Sequence, residues 1–243
     1  MSHKDPSRHS SQHVPLYRAH PWHGVSPCDL PAEIDLDGPQ GLYSLPPGAF
    51  NRVTVFIEMV PTDTVKYEVD KASGLLRLDR PQKYSSLCPA PYGFIPQTYC
   101  GERVGRFAAR RTGRTQPIRG DGDPLDICVL TERPINHGGL LLSARPIGGY
   151  RMFDGDEADD KILAVLTADP TYGELQRISQ CPAGLVDRLR HYFLSYKNMP
   201  GMGDRRPVEI TDIYEEDEAR EIIRLSLLDY RDSFTPHPAP GTP

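Results

Sequence analysis

The stretch TVKYEVDKASGLLRLDR, residues 64–80, carries the clearest secondary-structure pattern in the chain. Apolar side chains at positions 65, 67 and 69 alternate with charged side chains at positions 66, 68 and 70. This two-residue period is typical of a β-strand with one buried face. KASG (71–74) suits a hairpin connection, and LLRLDR (75–80) predicts the returning strand. The stretch therefore indicates a sheet with antiparallel pairing.

Segments rich in apolar and β-branched residues predict further strands on both sides of this hairpin. They are VTVFIEMV (53–60), ICVL directly after Asp126, GLLLSARPIGGYRMF (139–153) and KILAVLT (161–167). The strands are short and separated by glycine and proline, which favours a closed or highly curved sheet. We therefore expect a small closed antiparallel β-barrel.

Two segments show the period of an amphipathic helix. The apolar stripe of residues 184–198 consists of Leu185, Leu189, Tyr192, Phe193 and Tyr196. The stripe of residues 215–234 consists of Ala219, Ile222, Ile223, Leu227 and Tyr230. The second segment begins with EEDE, which places negative charge at the positive end of the helix dipole. A barrel flanked by about two α-helices belongs to the α+β class.

Residues 101–120, GERVGRFAARRTGRTQPIRG, contain six arginines and one acidic residue and show no convincing periodicity. We expect an inserted loop here. Two interpretations stay open: a solvated surface loop, or a flap or subunit contact that helps hold an anionic ligand.

The rest of the chain predicts a single domain over residues 20–234, with flexible tails at 1–19 and 235–243, where Pro, Ser and His are frequent.

The composition argues against several functional classes. The formal net charge of −5 over 243 residues disfavours general nucleic-acid binding. No apolar stretch approaches the roughly 20 residues that span a bilayer, and the polar N-terminal residues do not resemble a signal peptide. The five cysteines form no CxxC pair, which fits a reducing compartment. We expect a cytoplasmic protein that binds neither nucleic acid nor membranes.

The segment DGDPLD, residues 121–126, places three aspartates within six positions. In an extended segment Asp121 and Asp123 would project to the same side. Three carboxylates held this closely repel and raise one another's pKa unless a cation neutralises them. Oxygen ligands suit Mg²⁺, Mn²⁺ or Ca²⁺, although Leu125 and Asp126 do not fit an EF-hand loop. The alternative is a solvated acidic turn.

A second acidic segment, DGDEADDK (154–161), lies just before another predicted strand. It contributes Asp154, Asp159 and Lys161. Further acids and cations lie on or near the other predicted elements: Glu58, Lys66, Glu68, Arg80 and Lys197. Each of them alone fits a surface salt bridge. Together they alternate metal ligands with cations, which is what a metal-bound polyphosphate requires.

The chain resembles soluble family I inorganic pyrophosphatases over about residues 50 to 200. The resemblance is carried by DGDPLDI and, in order, by IEMVPTDTVKYEVDKASGLLRLDR, CPAPYGFIPQTYC, ARPIGGYRMFDGDEADDKILAV and HYFLSYK. It implies an OB-like barrel flanked by helices. It also implies hydrolysis of pyrophosphate to two orthophosphates with several Mg²⁺ ions, for which Mn²⁺ is a possible substitute, and a homo-oligomer.

The resemblance also implies a role for individual residues. Asp123 matches the general base, and Asp126 is expected to lie between two metal ions. The expected metal ligands are Asp121, Asp126, Asp159, Asp154, Glu58 and Glu68, of which the last three are outer or additional ligands. The expected substrate-binding residues are Lys66, Arg80, Tyr92, Lys161, Tyr196 and Lys197. On the residues alone, Tyr196 fits an aromatic core position equally well.

Some positions depart from the pattern of the compact family members. Cys88 stands where many bacterial members carry tyrosine, Pro91 replaces an asparagine-like residue, and Gly155 occupies a position that is often acidic. HPWHG (20–24) and the arginine-rich insertion resemble a longer bacterial variant of the family.

Two other functions compete with pyrophosphate hydrolysis. A metal phosphohydrolase acting on nucleotides would need a surface that holds a base, and the sequence shows neither a stacking platform nor a glycine-rich phosphate loop. A catalytically silent metal- or phosphate-binding module predicts the loss of at least one aspartate among positions 121, 123, 126 and 159. All four are present.

Overall fold

The computed structural model describes residues 19–28, 48–197 and 207–234, which form ten strands and three α-helices. The strands are β1 (Val53–Met59), β2 (Val65–Val69), β3 (Leu76–Pro81), β4 (Tyr92–Phe94), β5 (Arg119–Gly120), β6 (Asp126–Leu130), β7 (Leu140–Asp154), β8 (Glu157–Ala158), β9 (Lys161–Leu166) and β10 (Val208–Glu215). The helices are α1 (Glu102–Thr112), α2 (Ala183–Ser195) and α3 (Glu216–Phe234). The expected flexible tails lie outside the described residues, apart from Ala19.

A closed ring of five strands lies at the centre of the fold. β1 pairs with β4, β4 with β6, β6 with β9, β9 with β7, and β7 again with β1. Strand β7 is 15 residues long, and its second half also pairs with β10 and β8. The ring and its flanking helices confirm the predicted OB-like α+β fold.

The pairing is mixed, which corrects the expectation of a wholly antiparallel sheet. β6 and β9 run parallel, with Ile127 opposite Ile162, and the short strands β5 and β8 are also parallel. The reason is geometric: directions cannot alternate all the way round a ring with an odd number of strands. At least one neighbouring pair must therefore be parallel.

Alternation along the ring strands gives two large apolar clusters, beside which the described residues form two smaller ones. In β6, Ile127 and Val129 belong to the same cluster as Ile222 of α3. Cys128 lies between them in sequence and belongs to a second cluster with Phe193 of α2. Helices α2 and α3 therefore cover different faces of the ring, and both predicted helices are confirmed.

The segment predicted as an inserted loop contains helix α1, so that prediction was wrong for Glu102–Thr112. Val104, Phe107 and Ala108 are buried at the spacing of one helical face. Three of the six arginines of the segment pair with acids of α3 and β10: Arg103 with Asp229 and Asp232, Arg111 with Glu218, and Arg114 with Glu209. The segment is therefore packed onto the domain.

The predicted hairpin is present as β2 and β3, which form a separate two-stranded sheet. Its turn contains Gly74 at a φ of 70°, and the Gly74 amide donates to the Asp70 carbonyl at 2.8 Å.

Among the described residues, no helix has the length and apolar character needed to cross a membrane.

Candidate active site

Three carboxylates converge at one edge of the ring. One oxygen atom each from Asp121, Asp126 and Asp159 lies within 4.8 Å of the other two. Asp126 begins β6, and Asp159 stands two residues before Lys161, which begins β9. Because β6 and β9 run parallel, their first residues lie at the same edge. The two acidic segments of the sequence therefore meet in space.

A tight bend places Asp121 next to the beginnings of these strands. Gly122 has a φ of 76°, a backbone conformation that favours glycine. The Gly122 amide donates to the Cys100 carbonyl at 3.0 Å, and the Asp123 amide donates to Oδ1 of Asp121 at 3.0 Å. The segment is therefore bent, which corrects the expectation of an extended chain with Asp121 and Asp123 on one side.

Asp123 lies apart from the three converging carboxylates. Its side chain is 52% exposed and forms an ion pair with Lys71, in the turn of the β2–β3 hairpin. The Asp123 carbonyl accepts a hydrogen bond from the Cys100 amide at 2.8 Å. A fixed backbone therefore carries a carboxylate that water can reach.

Lys161 is the buried cation of the site. Its side chain is only 2% exposed, and its ammonium contacts both Asp126 and Asp159. Burial disfavours the charged form, but the charges of Asp126 and Asp159 hold the pKa of Lys161 well above its ordinary value. One positive charge is thus permanently shared between two of the three carboxylates.

The three carboxylates retain uncompensated negative charge despite Lys161. Burial, followed by the charge of Asp159, raises the pKa of Asp121 well above its ordinary value. Burial also raises the pKa of Asp126, although Lys161 partly opposes this shift. A group of oxygen donors that resists ionisation in this way fits a divalent cation of the Mg²⁺ or Mn²⁺ type.

Glu58 joins the ring to the β2–β3 hairpin. It lies in β1, is 8% exposed, and accepts a hydrogen bond from the Val69 amide at 2.7 Å. Burial raises the pKa of Glu58 to about 8, with the Val69 hydrogen bond acting in the opposite direction. Glu58 and Asp126 line one cavity, and the charge of Asp126 also contributes to raising the pKa of Glu58.

The hairpin brings two cations and an acid toward the site. Lys66 and Glu68 form an ion pair on β2, and Lys66 also lies 3.8 Å from Asp79. Arg80 stands opposite Lys66 in the β2–β3 register, and its guanidinium pairs with Asp79. Lys66 and Glu68 line the cavity of the site, whereas Arg80 is not among its lining residues.

Asp154, Tyr196 and Lys197 form the opposite side of the site. The Lys197 ammonium lies 2.5 Å from the Asp154 carboxylate and 3.7 Å from that of Asp159. Tyr196 ends helix α2, is 9% exposed and stacks on Tyr192 at 5.1 Å. It is therefore both a packed aromatic residue and a neighbour of the Lys197 ammonium, which lies 5.6 Å from its ring centroid.

Tyr92 lies between the carboxylates and the apolar layer under α2. It is 8% exposed in β4, and the Lys161 ammonium lies 6.0 Å from its ring centroid. Burial and the negative charge of Asp126 raise its pKa well above the ordinary value. Its phenol stays protonated and is available as a hydrogen-bond donor.

A cavity of about 510 Å³ opens beside these residues. Its lining includes six of the predicted site residues: Glu58, Lys66, Glu68, Tyr92, Asp123 and Asp126. Sequence reasoning missed three further lining residues, Trp22, Lys71 and Arg77. Lys71 and Arg77 belong to the hairpin stretch, but only Trp22 carried a separate signal, as the single tryptophan of the chain.

A buried ion-pair network supports the site from behind. Arg151 of β7 is 1% exposed and lies between the rings of Phe107 and Tyr214, at 5.2 Å from each centroid. Its guanidinium lies 3.0 Å from the carboxylate of Asp160 and 2.6 Å from that of Glu218. Since Asp160 stands between Asp159 and Lys161, this network fixes the segment that carries both.

The structure shows the local environment of two positions, Gly155 and Cys88, that depart from the family pattern. Gly155 has a φ of 67° in the turn between β7 and β8, so the backbone there favours glycine. Cys88 is 2% exposed and its thiol lies 3.2 Å from the Ala90 carbonyl. Nothing in the structure explains Pro91.

Comparison with known proteins places this geometry in one family. The model of the inorganic pyrophosphatase family matches residues 55–231. The inorganic pyrophosphatase of Chlamydia trachomatis is 45% identical over 224 residues, covering 91% of this chain and 98% of that protein. Soluble inorganic pyrophosphatase 2 of Chlamydomonas reinhardtii is 32% identical and covers 90% of this chain and 92% of its own.

Solved structures support the same relationship. The crystal structure of an inorganic pyrophosphatase from Thermus thermophilus matches with a TM-score of 0.62 and 29% sequence identity, covering 79% of this chain and 99% of that chain. The family model matches most of the chain and confirms the sequence resemblance. The chain belongs to the inorganic pyrophosphatase family.

Proposed function

We propose that this protein hydrolyses inorganic pyrophosphate to two orthophosphates with Mg²⁺ as the resident cation. The convergence of Asp121, Asp126 and Asp159 beside the buried Lys161 carries this proposal. A tetra-anionic substrate needs fixed cations around a hard-metal site, and these residues supply both within one edge of the ring. Family membership supports the choice of pyrophosphate as substrate.

The three converging aspartates would hold the metal, with Asp126 between two ions. Glu58, Glu68 and Asp154 surround them and would act as outer ligands, some of them through water. When bound, Mg²⁺ supplies positive charge that polarises phosphoryl oxygens and makes a nearby water more acidic. Mn²⁺ accepts similar oxygen donors and is expected to substitute.

Asp123 would take the proton from the attacking water. It borders the cavity and is half exposed, so water reaches its carboxylate. Lys71 contacts only Oδ1 of Asp123, and an ionised carboxylate has a second oxygen that can accept a hydrogen bond from water. A base of this kind contributes through its position, because proton transfer requires hydrogen-bond contact.

The remaining cations and hydroxyls would bind the phosphates. Lys66 and Arg80 approach from the hairpin, and Lys161 and Lys197 approach from the other side of the carboxylates. The protonated Tyr92 and Tyr196 offer hydrogen bonds to phosphoryl oxygens. Charge that moves to the leaving phosphate is therefore neutralised from two directions.

Phosphate release from pyrophosphate tests the proposal directly. We expect release with Mg²⁺ and with Mn²⁺, no release with EDTA, and little with Ca²⁺ as the only metal. A parallel assay with ATP tests a nucleotide phosphohydrolase, which the cavity does not favour because the Trp22 ring is 3% exposed and already stacked by His23 at 4.4 Å. A folded, metal-loaded protein that releases no phosphate would refute the enzyme function.

Replacing Asp123 tests the base. Asp123→Asn should lower kcat by about 100-fold or more, while the Mg²⁺ concentration for half-maximal activity stays near the wild-type value. Asp212→Asn is a matched control, because Asp212 is an exposed acid on β10, outside the site. Equal loss of kcat and of Mg²⁺ affinity in Asp123→Asn would make Asp123 a metal ligand instead.

A further inference from the structure

The β2–β3 hairpin carries substrate-binding candidates but belongs to no other sheet among the described residues. Lys66, Glu68 and Arg80 all lie on it. An isolated two-stranded hairpin is only marginally stable in water. The position of these three side chains therefore depends on the contacts that hold the hairpin against the rest of the domain.

The segment Ala19–Cys28 holds the tip of this hairpin. The His20 ring donates from Nε2 to the Lys71 carbonyl at 3.2 Å, while its Nδ1 accepts from the Trp22 amide at 3.2 Å. One neutral tautomer satisfies both hydrogen bonds. The same ring covers Gly74, where a Cβ atom would lie 2.8 Å from His20 Cδ2. The contact is therefore close as well as directional.

Trp22 anchors this segment to the domain. Its indole N–H donates to the Thr98 carbonyl at 2.8 Å, and its own carbonyl accepts from the Gln97 amide at 2.8 Å. The Thr98 hydroxyl accepts from the Leu125 amide at 2.9 Å. Thr98 thus connects Trp22 to the aspartate segment that carries Asp126.

Lys71 completes the connection between the segment, the hairpin and the site. Its ammonium lies 5.9 Å from the Trp22 ring centroid and pairs with the Asp123 carboxylate. Trp22, Lys71 and Asp123 line the same cavity. The N-terminal segment is therefore one wall of the cavity and a fixed support for the hairpin opposite the converging aspartates.

The geometry points to His20 and Trp22 as positioning residues, which hold the β2–β3 hairpin so that Lys66 and Arg80 meet pyrophosphate. This role rests on the proposed hydrolysis of pyrophosphate. The two residues act through Lys71 and Gly74 and not through contact with the reacting atoms. Loosening the hairpin weakens the hold on the phosphates in the ground state and the transition state alike, which raises KM more than it lowers kcat.

Steady-state kinetics of four variants test this role. His20→Ala and Trp22→Ala should raise KM for pyrophosphate by about 5- to 20-fold with a much smaller change in kcat. Trp22→Phe keeps a ring face for Lys71 but loses the indole N–H bond to Thr98, so its KM should lie between those of the wild type and Trp22→Ala. Ser26→Ala is the matched control, because Ser26 is an exposed residue of the same segment whose hydroxyl donates to the Cys28 carbonyl at 3.1 Å, within the segment itself. It should leave KM unchanged.

Hydrogen exchange supplies a readout that does not depend on activity. Amides of residues 65–81 should exchange faster in His20→Ala than in Ser26→Ala, while amides of β6 stay protected in both. Unchanged exchange, or faster exchange with an unchanged KM, would overturn the positioning role. A wild-type protein that hydrolyses no pyrophosphate would instead overturn the proposed function, and the exchange comparison would still decide whether the segment holds the hairpin.

Discussion

The Lys161 ammonium contacts the Asp126 carboxylate because the two residues begin neighbouring parallel strands. Parallel pairing brings the first residues of β6 and β9 to one edge, where antiparallel pairing would place them at opposite edges. The one parallel pair of the five-membered ring thus determines where the candidate site lies. This pairing buries the Lys161 ammonium among carboxylates. The balance between its positive charge and their negative charge therefore affects both the stability of the fold and the binding of metal.

Removing the Lys161 charge should destabilise the metal-free protein. Lys161→Met retains much of the side-chain volume but leaves the Asp126 and Asp159 carboxylates buried without their cation. We expect the free energy of unfolding in EDTA to fall by about 3–5 kcal/mol. Urea denaturation followed by circular dichroism measures this change.

Mg²⁺ distinguishes this electrostatic loss from a packing defect. Added Mg²⁺ should restore more stability to Lys161→Met than it gives to the wild type, since the metal replaces part of the missing charge. Arg114→Met is a comparison variant, because its partner Glu209 is a half-exposed acid that does not belong to the group of three converging aspartates. An equal effect of Mg²⁺ on the Lys161 and Arg114 variants would contradict the interpretation.

Neutralising Asp121 should have the opposite effect on the metal-free protein. Its pKa is raised by burial and by Asp159, so folding disfavours its ionised form at neutral pH. Asp121→Asn keeps an oxygen that can accept from the Asp123 amide. In EDTA we expect the free energy of unfolding of Asp121→Asn to be about 1 kcal/mol higher than that of the wild type. We also expect the variant to need a higher Mg²⁺ concentration for hydrolysis.

The size of the stability gain in Asp121→Asn depends on pH. A carboxyl whose pKa is higher in the folded state destabilises the fold as pH rises above its ordinary value near 4. The advantage of Asp121→Asn should therefore disappear in acid, where Asp121 is protonated in both states. Denaturation curves at several pH values measure it, and a variant less stable than the wild type at neutral pH in EDTA would show that Asp121 is not under repulsion.

Local patterns predicted most of the strands and two helices. Val65, Tyr67 and Val69 alternate with charged residues, and the apolar stripe of α3 recurs at helical spacing. Both patterns are formed by residues that are close in sequence, so they can be recognised without knowledge of the fold. The parallel pairing of β6 with β9 could not be predicted in this way, because it depends on how strands that are distant in sequence close the ring.

Helix α1 was missed although Val104, Phe107 and Ala108 stand at helical spacing, because this apolar stripe is short and the group that caps the helix is distant in sequence. Its N-cap residue, Gly101, has no side chain that could accept a hydrogen bond from the amides of the first turn. Instead the Asp229 carboxylate of α3 accepts hydrogen bonds from the amides of Gly101, Arg103 and Val104 at 3.0–3.2 Å. A single-sequence pattern cannot show a cap supplied from 126 residues away.

Asp229 should therefore control the stability of α1. The side chain is 3% exposed and also contacts the Arg103 guanidinium at 3.1 Å. Asp229→Ala leaves several buried amides without an acceptor, so we expect a loss of about 3–5 kcal/mol in unfolding free energy. Hydrogen exchange should show the largest loss of protection within residues 102–112.

Asp232 supplies the control for Asp229. It pairs with the same Arg103 at 2.6 Å, but its side chain is 32% exposed. Asp232→Ala should cost less than about 1 kcal/mol. A similar loss in both variants would mean that the ion pairs with Arg103, and not the capping hydrogen bonds, hold α1.

The candidate site was predicted unevenly for a related reason. Asp121, Asp126 and Asp159 stand in two dense acidic segments, so their type and spacing already indicated a cation site. Lys71 and Trp22 are separated by 49 positions in the printed sequence and meet only because the N-terminal segment folds across the hairpin. Their joint contribution to the cavity is a property of the tertiary structure.

Asp169 organises the turn after β9 with four hydrogen bonds. Oδ1 accepts from the amides of Thr171 and Tyr172 at 2.9 and 2.8 Å. Oδ2 accepts from the Glu132 amide at 2.7 Å and from the Thr131 hydroxyl at 3.0 Å. Burial alone would raise the pKa of Asp169, but these hydrogen bonds outweigh it and hold the pKa below the ordinary value.

This lowered pKa predicts a specific acid sensitivity. A carboxyl with a depressed pKa in the folded state contributes stability that is fully present above its unfolded pKa, near 3.9, and is lost as pH falls through the folded pKa. Asp169→Asn cannot ionise and offers one acceptor oxygen, so it should cost about 2 kcal/mol at neutral pH. The gap to the wild type should then narrow as the pH is lowered through the unfolded pKa. Urea denaturation across that range measures both curves, and parallel curves would show that the ionised Asp169 does not hold this turn.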